Sequence, residues 1–531
     1  MRRSADLQAE RPEEPTWWRE AIFYQVYLRS FADHDGDGIG DLAGLRHRLG
    51  YLELLGVDAV WLTPFYSSPM AELGQDITDP RGIAPEYGDL TAFDALVDEA
   101  REHGIRILVS LVPNHTSDEH PWFLAGLSAG PGSPQRGRYV FQDGRGYGGT
   151  EPPNNWTNVT GGPAWTQVPD GQWYLHLHSA TQPDLSWGHP DVQADLEETL
   201  RFWLDRGVDG FGIGLAHGLA KPAGLPDMDP RLARRPEWLP VEPEDPRFDD
   251  DTVHDVHRLI RKVLDERPGR IAVGDILLAD DRRYARYLRA DELHIATNPR
   301  LRVTEFDADL TRLAIERSLT SVASVGKLPS WSLSGPDLVR HVSRYGGGDV
   351  GQARARAMAL VLLALPGPVF LYNGEELGLP NVELPDWALR DPVWERSGRT
   401  ERGKDSTRIP MPWEGTEPPF GFTTGRDGWL PMPYEWSPLS VEAQLEDSGS
   451  MLSLYRHALE LRHSHPAFQG DELEWYGAPP GCFAFRRKGG RLICALNTSG
   501  ALVPLPGGDV LASSAPLQDG QLPPDTSVWL Y

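Results

Sequence analysis

Short apolar runs alternate with helix-period segments along most of the chain. The runs 22–27, 57–62, 105–112, 208–214, 271–277, 292–297, 329–334 and 368–373 have the length and composition of buried strands. Between them apolar residues recur at helical spacing, as in Leu42, Leu45, Leu49 and Leu52. Phe93, Leu96, Val97 and Ala100 repeat the pattern with Gly104 just beyond, and Val192, Leu196, Leu200 and Trp203 repeat it up to Gly207. Strands alternating with helices read as parallel βα units, and eight of them predict an α/β fold, a closed (β/α)8 TIM barrel. Two stretches break the alternation. Residues 114–190, rich in Gly, Pro, Trp and Asn, are too long for a βα loop and predict an inserted B domain after the third strand. Residues 466–531 lose helical period and predict a C-terminal antiparallel β-sandwich. The barrel then comprises 1–113 and 191–465.

Composition narrows the partners more than the fold. At 531 residues, with 40% hydrophobic and 24% charged residues, the chain is of ordinary globular type with more than one domain. A net charge of −26 argues against nucleic acid and anionic membranes as partners. No run reaches the ~18 apolar residues of a membrane span. The first ten residues lack the apolar core of a signal peptide. Cys482 and Cys494 fall in strand-like stretches and read as small core residues, so a cytoplasmic protein is expected.

The segment 207–217 is unusual. Phe211, Ile213 and Leu215 alternate with Gly210, Gly212 and Gly214, which places three glycines on one strand face. Interior glycine weakens a strand and packs nothing. The run is not a dinucleotide-binding turn, because the residue three after Gly214 is His217 and a Pro-rich loop follows.

Ala21-Ile-Phe-Tyr-Gln-Val-Tyr, Asp33-His-Asp-Gly-Asp-Gly-Ile-Gly-Asp41, Asp58-Ala-Val-Trp-Leu-Thr-Pro64, Pro113-Asn-His-Thr-Ser-Asp, Gln182-Pro-Asp-Leu185 and Gly374-Glu-Glu-Leu-Gly378 together resemble glycoside hydrolase family 13, the α-amylase superfamily. The pattern is most similar to the bacterial α-glucosidase, oligo-1,6-glucosidase and trehalose synthase branch. The resemblance implies α-glucoside hydrolysis or transfer with retention. A strand-four aspartate would attack the anomeric carbon and a strand-five glutamate would serve as acid and base. Such chemistry needs two carboxyl groups about 5 Å apart.

Mapped onto that pattern, the catalytic positions are altered. Gly212 and Gly214 stand where the resemblance implies an arginine and the nucleophilic aspartate. Asp275 stands at the acid/base glutamate, one methylene short, and Ser110 at a strand-three aspartate. Gly335 and Pro336 replace Asn and His before the retained Asp337, and Gln75 replaces a stacking tyrosine. Asp76, Asn114, His115 and His217 survive as residual sugar-binding positions. A shortened carboxylate can cost on the order of a hundredfold in rate, and loss of a nucleophile more. These substitutions predict a catalytically inactive relative in a bacterial cytoplasm, acting as a binding, regulatory or assembly module. Its partners would be a second copy of the chain, an active paralogue or a weakly held sugar. The alternative is a weakly active or chemically altered α-glucosidase or transglycosidase acting on short α-glucosides through Asp275 and Asp337. Asp33, Asp35, Asp37 and Asp41, with the carbonyl of Ile39, alternate like the start of a calcium loop and predict a structural Ca2+ or Mg2+.

Overall fold

Six of the apolar runs, with a seventh that closes the sheet, become short parallel strands packed on both faces, as expected of strands covered by helices. A computed structural model describes residues 16–233 and 239–531. The first ten residues, read above for a targeting signal, lie outside the described residues. The strands are β1 (Ile22–Val26), β2 (Ala59–Leu62), β3 (Arg106–Leu111), β4 (Gly210–Ile213), β5 (Ile271–Gly274) and β6 (Ile295–Ala296). They lie side by side in chain order, and the strand Val369–Tyr372 pairs in parallel with β1.

The run 329–334 departs from expectation. It makes one ladder contact, Trp331 to Val369, with the Trp331 N–H on the Pro368 carbonyl at 2.9 Å and its own carbonyl accepting the Phe370 N–H at 2.8 Å. On the other side Ser330 Oγ donates to the carbonyl of Ala296 at the end of β6. Ser334 Oγ bonds His341 Nδ1 instead of supporting a ladder. Serine hydroxyls offer the backbone such local alternatives to regular pairing. The ring closes through these contacts into a TIM barrel.

Helices cover the outside. Leu90–Glu102 starts at Asp89, whose side chain accepts the Ala92 N–H, and buries Phe93, Leu96, Val97 and Ala100. Pro190–Asp205 buries Val192, Leu196, Leu200 and Trp203. The leucine repeat 42–52 belongs to two short helices, Leu42–His47 and Leu49–Leu55, parted at Arg48. The segment after β3 carries a three-stranded antiparallel sheet, with Gln172–Leu175 between Phe141–Asp143 and Trp165–Gln167. At the C-terminus a five-stranded antiparallel sheet spans 472–530, and a two-stranded ribbon (503–504 with 521–522) packs on it through Val503, Leu522, Val528 and Leu530. Cys482 and Cys494 are unpaired there. No described helix is long and apolar enough to cross a membrane.

Candidate active site

The inner face of the barrel is set by period-two alternation. Phe211 and Ile213 of β4 point outward to the helices, while Gly210 and Gly212 face inward beside Leu108, Ile271 and Val273. Ser110 of β3 lies directly opposite Gly212. The space above these glycines belongs to Trp61 of β2. A Cβ on Gly212 would lie less than 3.0 Å from three atoms of its indole. The indole Nε1 donates to Ser110 Oγ at 2.8 Å, and the ring packs on Phe370, which stacks on Phe23. Gly212 and Ser110 are therefore coupled: one leaves room for the indole, the other accepts its buried N–H.

Gly214, just past the end of β4, is different. Its N–H donates to the Leu111 carbonyl at 2.9 Å. A Cβ here would meet only that carbonyl oxygen within 4 Å, at 3.3 Å. Leu215 follows with φ of 48°, a left-handed conformation uncommon for leucine, and turns the chain sharply. Asp275 is pinned beside this opening. Its N–H donates to the Ile213 carbonyl at 2.9 Å, and its own carbonyl accepts from Ala216 N–H at 3.1 Å. One carboxylate oxygen accepts from Thr297 Oγ1 at 2.7 Å. His217 Nδ1 lies 3.3 Å from the Asp275 carbonyl.

Across the mouth the 335–337 loop is gripped by the segment 404–408. The Pro336 carbonyl accepts from Thr407 Oγ1 (2.7 Å) and Arg408 Nε (3.1 Å). Asp337 accepts from Arg408 Nη2 at 2.7 Å and lies 3.4 Å from Lys404 Nζ. Its side chain is 53% exposed, enough to meet a ligand. Its recessed place disfavours charge, but Lys404 and Arg408 outweigh this and hold the carboxyl well below the usual carboxylate range. Asp337 is anionic at neutral pH.

The retained polar residues are bound to the protein itself. Asp76 is fully buried and accepts from Ser68 Oγ and from the N–H groups of Ala71 and Glu72, so it shapes the loop carrying Gln75. Asn114 Oδ1 accepts from Lys221 Nζ at 3.0 Å, and Lys221 also pairs with buried Asp184. His115 Nε2 lies 3.2 Å from the Gln75 carbonyl and 3.0 Å from Gln182 Nε2. Burial pushes the His115 imidazole down against the pull of Asp184, which keeps it neutral.

Away from the mouth, carboxylate oxygens of Asp33, Asp35 and Asp37 lie within 4.8 Å of one another. Asp41 stands outside that group, taking the N–H groups of Gly44 (2.7 Å) and His34 (2.9 Å). The Ile39 N–H donates to Asp37. Partial burial and the neighbouring Asp35, Asp33 and Asp41 push the Asp37 carboxyl up. Three hard oxygen donors crowded in this way fit Ca2+ or Mg2+.

The family described as "Alpha amylase, catalytic domain" matches residues 25–471. The chain belongs to the alpha-amylase family. It is 35% identical over 509 residues to a probable alpha-glucosidase of Rhizobium meliloti, covering 91% of this chain and 89% of that one. It is 34% identical over 490 residues to the oligo-1,6-glucosidase of Parageobacillus thermoglucosidasius, covering 85% and 84%. Its fold matches the crystal structure of the alpha-glucosyl transfer enzyme XgtA with a TM-score of 0.87 at 33% identity, over 97% and 99% of the two chains.

These full-length relatives are named as enzymes, which overturns the expectation of an inactive binding, regulatory or assembly module. Several residues around this site have no signal as site residues in the sequence motifs: Thr297, Lys221, Lys404 and Arg408, with Trp61 beside them. For Trp61 a signal was present, since an aromatic at the third position of β2 faces inward toward the glycine face.

Proposed function

We propose that this chain cleaves or transfers short α-glucosides by a single displacement, using Asp275 and Asp337 without a strand-four carboxylate. The observation that carries this reading is the opening at Gly214, with the Asp275 side chain pinned at its edge. Asp275 protonates the departing glycosidic oxygen. A water, or a hydroxyl of an acceptor sugar, occupies the space the missing side chain leaves and attacks the anomeric carbon from the opposite face. Its proton passes to solvent. Asp337, held anionic by Arg408 and Lys404, binds sugar hydroxyls and stabilises the positive charge developing on the ring. The similarity to glucosidases and a glucosyl-transfer enzyme supports the substrate class. The unpaired cysteines support a cytoplasmic setting. We further propose a structural Ca2+ or Mg2+ on Asp33, Asp35 and Asp37, so chelation lowers the melting temperature and leaves residual turnover dependent on Asp275.

The test is turnover on maltose, isomaltose, trehalose and an aryl α-glucoside, beside an Asp275→Ala/Asp337→Ala double variant. The expected outcome is measurable turnover that the double variant reduces by about a hundredfold or more. Turnover equal in both proteins would end this reading.

A further inference from the structure

Arg302 is a cation of the barrel mouth that the mechanism above does not use. It lies in the short helix Arg300–Val303, five residues after Thr297, the hydrogen-bond donor to Asp275. Its Nε donates to Ser332 Oγ at 2.8 Å, which fixes the guanidinium at one edge. The other end faces Gly335: a Cβ there would lie 3.7 Å from Arg302 Nη2. Among the described residues no carboxylate comes within ion-pair distance of Arg302, although Arg300 pairs with Asp281. The neighbouring cations are matched. Asp337 faces Lys404 and Arg408, and Asp391 lies 3.9 Å from Arg408. In a chain of net charge −26, a half-buried guanidinium without a counter-ion stands over a backbone stripped of its side chain.

We propose that Arg302 makes this mouth a binding site for an α-glycoside that carries an oxyanion, a phosphate or a carboxylate, lodged in the space beside Gly335. A planar guanidinium fixed at Nε presents its two terminal nitrogens as a fork, and such a fork matches carboxylate and phosphate oxygens in pairs. A hydroxyl-only sugar would leave that charge unmatched. The inference rests on the glycoside reading for the sugar portion of the ligand, but its test needs no turnover.

Affinities of the whole protein for maltose, maltose 6′-phosphate, a disaccharide ending in α-linked glucuronic acid, and inorganic phosphate are measured by calorimetry. At least one charged disaccharide is expected to bind about tenfold or more tightly than maltose. Arg302→Met, checked for folding by circular dichroism, removes that preference, and Arg302→Lys retains part of it. The two charged sugars tell phosphate from carboxylate. Equal affinities, a preference that survives in folded Arg302→Met, or inorganic phosphate binding as tightly as the sugars would each overturn the proposal. Failure to fold in Arg302→Met shifts the comparison to Arg302→Lys, where an undiminished preference overturns it as well. Turnover of neutral glucosides with no preference for charged ones removes this inference and leaves the proposed activity. Charge-dependent binding without turnover does the reverse.

Discussion

Gly212 on β4 and Gly214 just past its end lie two residues apart and both lack a side chain, yet their surroundings are opposite. At Gly212 the space is taken by the Trp61 indole, tied to Ser110 and packed on Phe370. At Gly214 the space is open but for one backbone carbonyl. The first glycine is part of a packed core layer; the second is a gap at the barrel mouth. A pair of residues missing together from a catalytic motif can thus have two separate physical meanings, one of stability and one of chemistry.

The largest effect expected from this contrast is that of Trp61→Ala. Removing the indole empties the layer over Gly212 and orphans the Ser110 hydroxyl, at a cost of about 3–5 kcal/mol by denaturant unfolding. A loss under about 1 kcal/mol would mean that the layer is not packed as described. Gly212→Ala comes next, because its methyl collides with the indole; about 1–3 kcal/mol of stability should go. Gly214→Ala should cost less than about 1 kcal/mol, since only the Leu111 carbonyl is near. Equal costs at the two glycines would break the comparison.

The smallest effect concerns the opposite rim and appears only in acid. Asp337 has its folded pKa depressed, so the stability it supplies is present above its unfolded value, near 3.9, and is lost as pH falls below it. Arg408→Leu removes part of that depression. The expected outcome is a flatter decline of melting temperature below about pH 4 than in the parent protein, with little change in slope between pH 6 and 8.

Much of the scaffold was legible in the chain because strand and helix periods are local properties. Six apolar runs became strands of one parallel sheet, and the last supplied its closing strand. The run 329–334 did not become a regular strand, since Ser330 and Ser334 commit their hydroxyls to Ala296 and His341, partners invisible in a linear pattern. The glycine face of β4 was legible too, but its filling was not. That depends on the register between β3 and β4 and on a tryptophan one strand further away. The cations that set the state of Asp337 come from about seventy residues along the chain, and no spacing announces them. Asp76, expected from the sequence as a sugar-binding position, is bonded within its own loop by partners no spacing announces.

Breaking an α-glucosidic bond by one displacement through the Gly214 opening inverts the anomeric centre. Proton NMR of the first glucose released from an aryl α-glucoside tests it most directly, read before mutarotation. β-Glucose is expected as the initial product, formed at a rate that Asp275→Ala lowers substantially. α-Glucose as the first product, or no release of glucose above background, would contradict it.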